Sequence, residues 1–358
     1  MGGIQLATKE SAGIEIGIYT LADIGPDPLT GKTITAKERV KEIIQAAKLA
    51  DEAGLDVFGV GEHHRLDYAC SSPAVLLAAI AQVTNQIRLT STTSVLSTLD
   101  PVRLFEDFAS LDLLSDGRAE ILAGRGAFIE SFPLFGYSTN DYDELFEEHM
   151  ELLLQLTENE TVTWSGKFRS SLRNAEIAPR PIQEKLPIWI GVGGTPESAV
   201  RAGRFGVGMA LAILGGNPRR FKPLVDLYRQ AGLDAGHSPE TLKVGVTGHA
   251  YIAKTTQQAM DEFYPYYANY WGYVNRQRGM GTRMSKSDFE QMASPDTALF
   301  VGSPQQIVEK ILQQHELFGH QRFLAQLDIG GQPFKNVAEG IELLATKIAP
   351  IVRRETSK

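Results

Sequence analysis

AKERVKEIIQAAKLADEAGLDVFGVG, residues 36–61, contains one passage from an amphipathic helix to a short apolar strand, and this passage is the repeating unit of the chain. Residues 36–54 carry apolar side chains at helical spacing, and residues 56–61 form the brief apolar run of a buried strand. Toward the N-terminus, GIEIGIY at 13–19 reads as the preceding strand. Toward the C-terminus follow a helix at 73–84, the strand IRLTSTTS at 87–94, a helix at 101–115, the strand RAEILAG at 118–124 and a helix around 141–157.

TVTWSGKF then breaks the rhythm and reads as an added hairpin within 161–180. The alternation resumes with LPIWIGVG (186–193) and a helix from Pro196, VGMALAIL (207–214) and a helix from Pro218, and KVGVTGHAYIA (243–253) and a helix from about residue 256. RFLAQLDIG (322–330) precedes a last amphipathic helix at 335–353. Apolar strands alternating with amphipathic helices predict a parallel sheet covered on both faces, because parallel strands need a crossover. Eight such units predict an α/β fold, a (β/α)8 TIM barrel forming one domain over residues 1–358. Functional residues are then expected just after each strand. The segment 265–300, aromatic and then polar and glycine-rich, lies between strands seven and eight and is expected to form a lid over that face.

Composition narrows the function. The chain is 43% hydrophobic, enough for a large core, and 35 basic against 43 acidic residues give a net charge of −8 with no dense basic run. Nucleic acid and anionic membrane surfaces are therefore disfavoured as partners. Cys70 is the one cysteine, which excludes an internal disulfide framework and a cysteine-based metal cluster, and a reducing cytoplasm fits best. No stretch reaches the roughly 18 apolar residues of a membrane span.

Four strand ends carry unusual residues: GEHHR (61–65), TTSVLSTLDP (92–101), GRG (124–126) and GGTPES (193–198). A histidine at a strand mouth suits proton transfer near neutral pH, although spacing alone serves a pair of structural histidines equally well. On an extended segment, neighbouring His63 and His64 point to opposite sides and cannot share one metal, so no metal site is expected; Glu62 or one histidine is expected to orient the other. Arg125, between two glycines, suits a phosphate or carboxylate, but an arginine there is more often an ion-pair partner. In GGTPES two glycines, hydroxyls and a proline open a helix whose free N–H groups favour an anion; an ordinary helix start capped by Thr195 reads as well. GPDPLTGKT (25–33) imitates a P-loop with the wrong spacing and reads as a loop, HELFGH (315–320) has its histidines five apart, off one helix face, and Cys70 reads as a small buried hydrophobe.

The order GEHHR, TTSVLSTLDPVR, LDLLSDGR, GRG and FPLFGYS, continued by GVGGTPES and VGSPQQIVEKI, resembles the bacterial luciferase-like family of flavin-dependent oxidoreductases and monooxygenases over nearly the whole chain. The resemblance implies a TIM barrel, often dimeric, using FMN or, in one branch, the deazaflavin F420. It implies that His63 is the catalytic imidazole, with Glu62 and His64 beside it. Thr93 and Ser94 would lie against the isoalloxazine ring. Arg125, Gly193, Gly194, Thr195 and Ser198 would hold the flavin phosphate, with Phe128 nearby. The light-emitting luciferases carry a reactive cysteine where this chain has Gly124, which argues against light emission. The expected activity is an FMN-dependent monooxygenase that takes reduced flavin from a separate reductase, forms a C4a-peroxyflavin with O2 and oxygenates a small organic substrate, as a homodimer. Hydride transfer with FMN or F420 and flavin binding without turnover are the rival readings; the acidic chain favours FMN over the longer anionic tail of F420. Aromatics at 264–273 and Met280 are expected to roof the pocket.

Overall fold

The computed structural model describes residues 13–126, 128–277 and 283–357. Its centre is a closed barrel of eight parallel strands: β1 (Glu15–Thr20), β2 (Val57–Val60), β3 (Arg88–Ser91), β4 (Ala119–Gly124), β5 (Ile188–Val192), β6 (Gly208–Ala212), β7 (Val244–Ile252) and β8 (Arg322–Gln326). Each strand pairs with its successor and β8 pairs with β1, so the sheet has no open edge within the barrel. Every expected strand is present, most of them a residue or two shorter than the apolar run.

Helices α1 (Ala36–Glu52), α2 (Pro73–Ala81), α3 (Pro101–Leu114), α4 (Tyr142–Glu158), α5 (Pro196–Arg204) and α6 (Lys222–Asp234) follow the first six strands. The sequence of α1 explains its bounds and its buried face. Thr35 and Glu38 form a reciprocal capping box at its start, and Ile43, Ala46, Ala47 and Ala50 recur at helical spacing against the barrel. The hairpin pairs Thr161–Trp164 with Leu172–Glu176 in antiparallel register.

The passage from β7 to β8 holds the expected insertion. The helix expected from about residue 256 extends into it as α7 (Thr256–Gln277), which runs through Pro265 and takes in residues 264–277. A short helix at Lys286–Met292, a strand at Phe300–Gly302 paired with β7, and α8 (Pro304–Phe318) complete the insertion. Phe263, Tyr266, Tyr267, Tyr270 and Val274 share a face of α7 and pack with Phe289 in an apolar cluster separate from the barrel core. Aromatic burial therefore overrides the proline and makes the insertion an ordered layer. Met280 lies outside the described residues. The last helical stretch is α9 (Phe334–Leu343), followed by a π-helical turn and a final helix at Ala349–Thr356.

The N-terminal end of the barrel is closed by charge. Arg322 at the start of β8 bonds Glu120 in β4 and Glu15 in β1 and stacks over Trp189 at 4.4 Å. Buried ions of this kind are tolerated only with partners on both sides, and they leave the opposite end of the barrel for chemistry.

Candidate active site

At the C-terminal end of the barrel the strand mouths surround a cavity of about 220 Å3. Val60 ends β2, and the chain turns at once into Gly61, Glu62, His63 and His64. Glu62 is buried: its Oε2 accepts from the Val95 N–H at 2.8 Å and its Oε1 lies 2.7 Å from Nε2 of His64. His63 is held differently. Its ring stacks on Tyr68 at 4.1 Å, meets Phe128 edge-on at 5.4 Å and places Nδ1 3.6 Å from Oε1 of Glu130. Burial pushes the Glu130 carboxyl up, but the nearby His63 ring and backbone N–H groups outweigh it and hold the group below its usual range.

Glu62 thus orients His64, and Glu130 pairs with His63. Both histidines line the cavity; residues 61–64, which follow β2, belong to no strand, so the alternation of an extended segment does not hold there. Among the described residues no cluster of histidine, cysteine, aspartate and glutamate is arranged to hold a metal. Cys70 is buried and its thiol is pushed up to about 11 by that burial, as befits a small core residue.

After β3 the peptide between Thr92 and Thr93 is cis, and both threonines face the cavity. Glycines make the room for them. A Cβ on Gly124 would stand 2.4 Å from Oγ1 of Thr93, one on Gly59 2.4 Å from Cγ2 of Thr92, and one on Gly191 3.1 Å from Cγ2 of Thr93. Position 124 therefore accepts no cysteine without displacing Thr93. Ser94 is 1% exposed within the short strand Ser94–Val95 and does not reach the cavity wall.

A polar cluster sits on the rim at the ends of β4 and β5. Arg125 donates from Nη2 to Oγ of Ser198 at 2.6 Å, ion-pairs with Asp143 and covers the Tyr142 ring at 4.8 Å. Thr195 is the N-cap of α5 by backbone geometry, but its hydroxyl lies 2.6 Å from Oγ of Ser198 instead of capping the helix. Gly194 has φ of +131°, and nothing stands within 4 Å of a Cβ placed on Gly193. Asp143 is 62% exposed and shared with Arg201, and Arg125 has five N–H donors, so the guanidinium keeps donors to spare. Free N–H groups, two hydroxyls and an arginine around an open backbone cradle form a donor set suited to a phosphate. The expected site residues therefore separate into a wall group, Glu62, His63, His64, Thr93 and Phe128, and a rim group, Arg125, Gly193, Gly194, Thr195 and Ser198.

Other cavity residues escaped the motif reading. Tyr19, His249 and Gln326 line the cavity from β1, β7 and β8, and Tyr270, Trp271 and Val274 of α7 roof it, as the aromatic run suggested. A histidine inside VGVTGHAYI and a glutamine closing RFLAQ were visible signals: polar residues at the inner ends of apolar strands. Glu130 had none, since only the fold brings it to His63.

Comparison with known proteins bears on the family and the fold. The family model for luciferase-like monooxygenases matches residues 14–321. The flavin-dependent trigonelline monooxygenase, oxygenase component, of Acinetobacter baylyi is 23% identical over 338 residues, covering 88% of this chain and 91% of that protein. The monooxygenase RslO1 of Streptomyces bottropensis superposes with a TM-score of 0.82 at 26% identity over 94% of this chain and 99% of that one. The oxygenating constituent of 3,6-diketocamphane monooxygenase from Pseudomonas putida, solved with FMN, gives 0.76 at 20% over 94% and 98%, which shows a shared fold only. F420-dependent enzymes share the fold as well.

Proposed function

The chain belongs to the luciferase-like monooxygenase family, and on that premise we propose that it is an FMN-dependent monooxygenase that oxygenates a small organic substrate with reduced flavin and O2. The observation that carries this reading is the rim cluster of Arg125, Thr195 and Ser198 set beside a glycine-walled cavity that ends at His63.

In this reading the rim residues hold the flavin phosphate: the guanidinium supplies charge, and the hydroxyl pair of Thr195 and Ser198 with the backbone N–H groups of Gly194 and Thr195 supply directed donors. Thr93, Phe128 and the glycine floor pack the ring, with Leu122 as an apolar wall. Reduced FMN, when bound there, supplies the two electrons that activate oxygen. Glu130 fixes Nδ1 of His63 and leaves Nε2 to exchange a proton within the cavity. Glu62 locks His64 and ties it to the backbone at Val95, so the wall keeps its shape. The roof of α7 excludes water, which protects reactive species from unproductive loss. F420 is the second reading of the cofactor; the net charge of −8 disfavours its longer anionic tail.

A separate reductase is the proposed source of reduced flavin. We also assign a homodimer, since Val83, just beyond α2, and Leu113 and Leu114 at the end of α3 stand exposed where Gln82 bonds the Leu114 carbonyl. Sedimentation velocity reads this directly: a monomer at micromolar concentration would refute it, and Leu114→Asp should dissociate the dimer.

The test of the cofactor site is anaerobic titration with reduced FMN followed by mixing with air. Tight binding and accelerated, protein-dependent oxygen consumption are expected. Arg125→Ala should weaken FMN binding by about 1.5–3 kcal/mol, and an unchanged affinity would show that the phosphate sits elsewhere.

A further inference from the structure

We infer that the half of the cavity built by β6, β7, β8 and β1 is the substrate subsite, and that Gln326 selects a neutral substrate whose polar head both donates and accepts hydrogen bonds, as a carboxamide, lactam or hydroxyl does. This inference rests on the proposed flavin site, which uses the ends of β2 to β5 and leaves the other half of the barrel mouth free.

Gln326 is 0% exposed, lines the cavity, and neither its Oε1 nor its Nε2 has a hydrogen-bond partner. A buried amide without partners is rare in a folded protein and points to a missing ligand group. Its neighbours share its level in the barrel. The parallel register pairs Gln326 with Tyr19 of β1 on one side and with His249 of β7 on the other, and all three line the cavity. His249 holds Nδ1 3.2 Å from the Tyr267 hydroxyl, and burial keeps the imidazole neutral. The Tyr19 hydroxyl lies beside Thr247. Gln326 is thus the member of this row whose donors and acceptor are all unspent.

Charge decides the substrate class. Among the described residues that line the cavity there is no lysine or arginine. Its two carboxylates, Glu62 and Glu130, are already paired with His64 and His63. An anionic head would enter without a counter-ion and lose its hydration, whereas a neutral head loses only hydrogen bonds that Gln326 returns. Ala210, Ala212, Leu214 and Val274 beside it, with Tyr270 and Trp271 above, suit an apolar body.

Four probes of one shape test this on the FMN-bound protein by calorimetric titration: benzamide, benzyl alcohol, toluene and benzoate. Benzamide and benzyl alcohol should bind at least roughly tenfold more tightly than toluene or benzoate, because a site built for a hydrogen-bonding head rejects analogues that lack one. Gln326→Leu should abolish the preference for benzamide over toluene while FMN affinity is retained, and Gln326→Met serves if the leucine variant does not fold. Equal binding of benzoate, an undiminished preference in either variant, or failure of all four probes to bind overturns the inference. So does a loss of FMN affinity equal to the loss of benzamide affinity, which would assign the amide to the cofactor. If the wild-type protein binds no FMN at all, it is the cofactor reading that fails.

Discussion

His63 and Glu130 show how single residues are made functional by what surrounds them. Glu130 keeps its charge despite partial burial because the His63 ring and backbone N–H groups face it, and a charged Glu130 in turn favours that orientation of the imidazole. Glu130→Gln removes the charge but keeps the shape. Oxygen consumption by the reduced-FMN complex should fall roughly 10²-fold, with FMN affinity preserved. His63→Asn should fall comparably, and the double variant should be little worse than either single one; additive losses would mean that the two residues do not act as a unit. Gly124 makes the complementary point, since a side chain there would collide with Thr93.

Among elements, α8 and the segment that precedes it depend on one lysine. Lys310 is 3% exposed, and its Nζ donates to the carbonyls of Ser294 at 2.7 Å, Thr297 at 3.1 Å and Leu299 at 2.7 Å, with Ala293 at 3.3 Å. The ammonium replaces the ladder partners that this irregular backbone lacks, and so anchors the insertion that carries the roof. Lys310→Met keeps the length of the stem and strands those carbonyls. Urea unfolding should show a loss of about 3 kcal/mol, with amide exchange rising first in 293–299. A loss below about 0.5 kcal/mol would mean that water replaces the ammonium without cost.

For the whole molecule, two buried histidines set the acid limit of stability. Burial lowers the imidazole of His249 from 6.5 to about 3; burial and the nearby His315 do the same for His320. Between those values the unfolded chain binds protons that the native chain refuses. Stability is therefore complete above pH 6.5 and falls as the pH drops toward 3, by at most about 1.4 kcal/mol per pH unit for each histidine. Urea midpoints measured from pH 7 to 5, above most carboxylate titrations, should decline. The double variant His249→Gln, His320→Gln should show a flatter slope, and an unchanged slope would assign the loss to other groups.

At this same scale the division between sequence and structure becomes clear. The barrel was legible because each strand and helix advertises itself within a few residues: a buried parallel strand is a short apolar run, and a covering helix repeats at 3.6. The candidate residues at GEHHR, GRG and GGTPES were legible because a barrel concentrates chemistry at strand ends, and the ordered motifs point to the family. Which of them stand together depended on the tertiary structure. Distances across the barrel mouth are set by closure and register, so Arg125 meets Ser198 over 73 positions, and Gln326 meets Tyr19 only because the last strand returns to pair with the first. Glu130 as the partner of His63, the burial of Ser94 and the helical roof were likewise decided there, because local spacing carries no information about which chain segment a fold brings alongside.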